Sequence, residues 1–76
     1  NRLEFEGDTF EEAAKKLERW YNVTIVFRDE RVKQLNGVAG AFESETVAEA
    51  FEALKEVYPI KFKILNNHEI LVESSQ

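Results

Sequence analysis

Shifted by 37 residues, the chain lies over itself. Phe5–Phe27 aligns with Phe42–Ile64 without a gap, and seven of the 23 pairs are identical: Phe5/Phe42, Glu6/Glu43, Thr9/Thr46, Glu12/Glu49, Ala13/Ala50, Leu17/Leu54 and Tyr21/Tyr58. Phe10/Val47, Trp20/Val57, Val23/Ile60, Ile25/Phe62 and Phe27/Ile64 keep their apolar character. A repeat of this length is one supersecondary unit that cannot bury its own apolar face, so two copies must share a core.

Each unit reads as strand, helix, strand. In the first, Leu3 and Phe5 alternate with Glu4 and Glu6, the period-2 pattern of a half-buried strand that Gly7-Asp8 ends. Thr9 opens a helix, and Glu12 three residues on completes a capping box. Phe10, Ala13, Ala14, Leu17, Trp20 and Tyr21 follow helical spacing as one apolar stripe, with Glu11–Lys15 and Glu12–Lys16 as ion pairs on the wet side. Asn22 stops the helix, and Val23, Ile25 and Phe27 face inward from the next strand while Thr24 and Arg28 face out.

Asp29–Asn36 reads as a connector with a turn of helix at Glu30–Gln34 that tucks Val32 and Leu35 beneath the core. Val38–Phe42 is a strand of small residues in which Gly40 marks a close backbone approach or a bulge. Thr46 and Glu49 cap the second helix, whose stripe is Val47, Ala50, Phe51, Leu54, Val57 and Tyr58, and Pro59 ends it. Ile60, Phe62 and Ile64 alternate with Lys61 and Lys63, and Asn66-Asn67-His68 turns the chain into a last strand, Glu69–Glu73.

These elements predict an α+β fold of duplicated βαβ units, β-α-β-β-α-β-β, with units at residues 3–28 and 38–64 and an added strand at 69–73. Each βαβ crossover is expected to be right-handed. The aromatic stripes are too wide for a two-stranded partner alone. Burying them sets the two helices side by side between a two-stranded and a three-stranded sheet. Residues 1–76 then make one small domain. The abrupt start at Asn1-Arg2-Leu3 reads as that of a C-terminal fragment of a longer protein.

A formal charge of −5 argues against nucleic acid or an anionic membrane surface as partner. Without Cys there is neither a disulfide nor a thiolate metal site. No cofactor or metal is expected: the single His68 lies in a predicted turn, and no glycine-rich phosphate loop is present. Glu43, Glu45 and Glu49 cluster at a helix start, where capping and the helix dipole account for them. Asp29-Glu30-Arg31 reads as a solvated turn with a local ion pair, and Trp20-Tyr21 as core rather than a stacking platform. The chain is therefore expected not to be an enzyme.

What remains is the exterior. Strand parity puts Val26, Leu65, Leu71, Ala39 and Ala41 on faces opposite their core neighbours, and these five are the candidate partner-binding residues. Val38–Phe42, without internal charge, is the candidate edge for strand addition.

The run Leu17-Glu18-Arg19-Trp20-Tyr21-Asn22-Val23, after a Leu3-x-Phe5 strand and a Thr9-Phe10-Glu11-Glu12 helix start, resembles the C-terminal domain of FecR-type anti-sigma factors of Bacteroidetes. Gly40-x-Phe42, then Glu45-Thr46-Val47-Ala48-Glu49-Ala50, and the ending Ile70-Leu71-Val72 look like that family's second unit. The likeness extends from Leu3 to about Glu73. Related in layout is the short N-terminal signalling domain of secretins and TonB-dependent transducers, which lacks the Arg-Trp-Tyr-Asn run. The resemblance implies a non-catalytic periplasmic domain of an inner-membrane regulator of transcription. Such a domain would dock onto the signalling domain of a TonB-dependent outer-membrane transducer. It would relay that transducer's signal to an extracytoplasmic-function sigma factor held by other parts of the regulator. Two rival readings are the transducer's own signalling domain and a small-ligand or glycan sensor built on Trp20-Tyr21.

Overall fold

Thr9 and Thr46 each start a helix by the same reciprocal bonding. In the computed structural model of the chain, which describes residues 1–76, the Thr9 hydroxyl accepts from the Glu12 N–H at 3.1 Å, and the Glu12 carboxylate accepts from the Thr9 N–H at 2.9 Å. Thr46 and Glu49 repeat the arrangement at 3.2 and 2.8 Å. In chain order the elements are β1 (Leu3–Asp8), α1 (Phe10–Tyr21), β2 (Thr24–Phe27), α2 (Glu30–Lys33), β3 (Val38–Phe42), α3 (Val47–Val57), β4 (Ile60–Ile64) and β5 (Glu69–Ser74). Asn22 closes α1 in the left-handed region at φ 56°, where a short polar side chain is tolerated. Tyr58 closes α3 just ahead of Pro59. The single turn of α2 buries Val32 completely and brings Leu35 against the core.

The two helices lie between two sheets, and neither repeat unit keeps both its strands in one of them. The first strands of the units, β1 and β3, pair antiparallel as the two-stranded sheet. The second strands, β2 and β4, flank β5 in the three-stranded sheet, β2 parallel to it and β4 antiparallel. The expected right-handed crossover is thereby corrected: the handedness rule concerns parallel strands of one sheet, and no unit here contains such a pair. Splitting each unit between the sheets gives every helix two apolar surfaces to meet. All eight elements contribute to one cluster of 16 buried residues, the only large hydrophobic core.

Several local expectations change. β1 runs on through Asp8, and the bulge lies in it, between Glu6 and Asp8, with Gly7 at φ 80°. Gly40 instead sits in regular register opposite Phe5. A Cβ there would meet nothing within 4 Å, so its backbone angle of φ 131°, and not a close approach, calls for glycine. Lys16 does not pair along the helix with Glu12, whose carboxylate serves the capping box. It reaches the Asp8 carboxylate at 2.8 Å and the Glu4 carbonyl at 3.0 Å. Trp20 and Val57 leave the core, 37% and 71% exposed. At about 100° per residue both lie roughly 70° from the centre of their buried stripes, at the margin. Ile64, at the far end of edge strand β4, is half exposed because it has a neighbouring strand on one side only.

Candidate docking surface

The five candidate residues divide between the two sheets. Val26 and Leu71 are direct register partners, and Lys63 continues their row across β5 onto β4. Leu65 follows β4, its N–H donating to the Glu69 carbonyl at 2.9 Å. Val26 is 39% and Leu65 47% exposed, while Leu71, flanked on both sides, is half-buried. These three share the outer face of the three-stranded sheet. Ala39 and Ala41 belong to the two-stranded sheet, opposite Glu6 and Glu4. Sequence parity found the apolar residues but missed their cationic neighbours. Arg28, Lys61 and Lys63 border the same hollow as Leu65 and Leu71, a space of about 570 Å³. The signal was present as the alternating lysines of Ile60–Ile64.

Both edges of the two-stranded sheet carry a side-chain cap. On β1 the Lys16 ammonium donates to the Glu4 carbonyl. On β3 the Tyr58 hydroxyl accepts from the Ala39 N–H at 3.0 Å and donates to the Gly37 carbonyl at 3.3 Å. A strand adding to Val38–Phe42 would first have to displace that hydroxyl. Tyr21, the repeat equivalent of Tyr58, donates to the Glu45 carbonyl at 2.9 Å and so ties the end of α1 to the loop before α3. Partial burial, and then the charges of Glu45 and Glu49, push the Tyr21 hydroxyl pKa up. The Trp20-Tyr21 pair thus splits: Tyr21 packs against the core, while Trp20 lies beside an open groove of about 550 Å³ with Arg2, Leu3, Glu6 and Arg19.

Three further carboxylates, Asp29, Glu45 and Asp8, are held by the fold. One Asp29 oxygen accepts from the Ser74 N–H at 3.1 Å and the other from the Val32 N–H at 3.3 Å, so this carboxylate starts α2 and holds the end of β5. The bond from Ser74 first, and that from Val32 with it, hold the Asp29 carboxyl below the ordinary Asp range. Glu45 is lowered in the same way, chiefly by the Glu43 N–H at 2.8 Å. The Asp8 carboxyl is lowered mainly by its hydrogen bond with the Lys16 ammonium. His68 is an exposed turn residue whose backbone N–H donates to Asn66. No three His, Asp or Glu side chains come together as a metal-holding group. No helix is long and apolar enough to cross a membrane.

Among known families, the one described as FecR, C-terminal, matches the chain over residues 2–72. No curated protein and no solved structure matches it.

Proposed function

The chain belongs to the FecR C-terminal family, and from that premise we propose that it is the non-catalytic periplasmic docking domain of a FecR-like anti-sigma factor. In this reading it receives a signal from the N-terminal domain of a TonB-dependent outer-membrane transducer. Other parts of the full-length regulator then pass the signal to an extracytoplasmic-function sigma factor. The family match over nearly the whole chain carries the reading. Docking is favoured over chemistry by how the reactive side chains are used. The carboxylates of Asp8, Asp29 and Glu45 and both Tyr hydroxyls are engaged in holding the fold. Exposed aliphatic side chains, Val26 and Leu65 among them, are left on the three-stranded sheet, and such groups suit protein contact.

The test is direct binding between this chain and the N-terminal signalling domain of the transducer encoded with it. Calorimetry or a pull-down should detect a complex at tens of micromolar; its absence there would sink the docking role. A second reading, small-ligand or glycan sensing, draws on the half-exposed Trp20 in its groove. Trp emission that stays unchanged across a panel of sugars and siderophores would eliminate it. The transducer's own signalling domain is separated from the regulator by flanking sequence, a membrane helix before the domain in one case and a plug and barrel after it in the other.

A further inference from the structure

Fifteen carboxylates against ten Lys and Arg make the molecule acidic, yet the outer face of the three-stranded sheet sets three cations, Arg28, Lys61 and Lys63, against two carboxylates, Glu69 and Glu73. Across it, Val26, Leu71 and Lys63 form one row, and Glu73 and Lys61 form the next, with an ion pair of 3.7 Å. Arg28 follows Phe27, the register partner of Val72, and so comes alongside Glu73. Neither Arg28 nor Lys63 has an ion-pair partner. The other sheet presents the opposite character, Glu4 and Glu6 beside small alanines. Lys61 and Lys63 also stand on edge strand β4, where repeated charge discourages addition of another strand. The face, more than the edge, is what this sheet offers.

We propose that this face docks a partner protein surface with an apolar centre rimmed by carboxylates. Val26, Leu65 and Leu71 supply the contact area, and the unpaired Arg28 and Lys63 select for negative charge. The proposal rests on the reading that the chain works by binding a protein, and it adds where and to what chemistry. Three strands about 4.8 Å apart, each about five residues long, give a face of roughly 250 Å². That is well below the roughly 800 Å² per partner of a standard interface. The contact is therefore transient, and its local charge pairs make it weaken with salt.

Two measurements separate the surface from the partner. The first follows amide NMR shifts of this chain during titration with anilinonaphthalene sulfonate, an apolar anion. Shifts centred on Val26, Arg28, Lys63 and Leu71, and lost in Lys63→Glu, support the surface. Shifts confined to the Trp20 groove, or none, overturn it whatever the biological partner. The second uses the transducer's N-terminal domain as the probe. Binding should weaken about tenfold in Val26→Asp and in Lys63→Glu. It should weaken severalfold between about 50 and about 300 mM salt, and stay within about twofold in Glu56→Gln, at an exposed position of α3. Near-UV circular dichroism confirms that the variants fold, and Lys63→Arg should restore affinity. Binding that survives both substitutions overturns the surface while leaving the docking role standing. If the wild-type chain binds the dye on this face but not the transducer domain, the transducer reading fails and the surface survives. A dimer in sedimentation that Lys63→Glu dissolves would make a second copy the occupant and overturn the proposal of a foreign partner.

Discussion

Truncating Phe51 to Ala should cost about 3–5 kcal/mol, while Val57→Ala on the same helix should cost less than about 0.5 kcal/mol. Both residues lie on one apolar stripe by sequence, so only packing distinguishes them. Phe51 is completely buried and its ring stands 5.3 Å from that of Phe62; Val57 is 71% exposed. The first unit builds the equivalent contact differently, with Phe10 against Phe27 at 6.2 Å. In the repeat alignment Phe51 falls over Ala14, one turn later than Phe10, and Phe62 falls over Ile25, two residues earlier than Phe27. Each helix runs back against the strand that follows it. Four residues along the helix, about 6 Å, then match two residues back along the strand, about 6.7 Å. Each unit therefore needs its own ring pair, and about 0.5–1.5 kcal/mol of the Phe51 loss is ring-to-ring contact. A domain of this size has roughly 4–11 kcal/mol in total, so the variant should melt at least about 12 °C lower. Urea unfolding followed by far-UV circular dichroism measures both variants, with the dependence on urea unchanged if both states stay alike. Equal losses at the two positions, or a Phe51→Ala cost under about 1.5 kcal/mol, would refute the shared-core account.

Thr46→Ala removes one half of a capping box and should lower stability by about 1 kcal/mol in thermal melts. Because Lys16 depresses the Asp8 pKa below its usual 3.8, the folded state binds that proton less readily than the unfolded one. The difference between wild type and Asp8→Asn, about 1 kcal/mol at neutral pH, should be complete above the ordinary Asp range and vanish as pH falls through the depressed value. Gly40→Ala meets open space but holds a φ of 131°, so urea midpoints should report a pure backbone cost of about 1 kcal/mol or more. Fragment 1–37 contains β1 and β2 but neither of their partners, β3 and β5. Alone it should give collapsed amide dispersion by NMR, recovered on mixing with fragment 38–76, since an isolated helix as short as α1 is marginal in water.

Periodicity and capping chemistry made the elements legible because they act over a few residues. Both capping boxes, the left-handed Asn22 and the buried Val32 under a single helical turn follow from local sequence. Sheet membership does not. That β5 separates β2 from β4 depends on a parallel pairing between Thr24–Phe27 and Glu69–Val72, far apart along the chain. For the same reason parity could name Val26, Leu65 and Leu71 as outward-facing but could not put them on one surface with Arg28 and Lys63. Trp20 misled because a step of three residues from Leu17 keeps helical spacing while drifting toward the margin of the stripe. The Asp29 clamp on Ser74 joins residues 45 apart and leaves no local mark.

The repeat itself shows which positions are free to do work. In the second strands of the two units, the inward pairs Val23/Ile60, Ile25/Phe62 and Phe27/Ile64 are apolar in both copies. The outward pairs Thr24/Lys61, Val26/Lys63 and Arg28/Leu65 differ at every position. Apart from Ile64, half exposed at the end of edge strand β4, an inward residue in either copy faces the same shared interior, so packing limits both to similar shapes. Outward residues add nothing to the shared core beyond surface contacts such as that of Lys61 with Glu73, so the fold places little demand on their chemistry. Because β5 holds the two strands on either side of itself in opposite directions, these divergent positions interleave. An apolar residue from one copy then comes across the sheet from a cation of the other, as Val26 does from Lys63 through Leu71. Mixing apolar and cationic character on one face follows from duplication and divergence together. A single unit, lacking its pairing partners, could not present such a face.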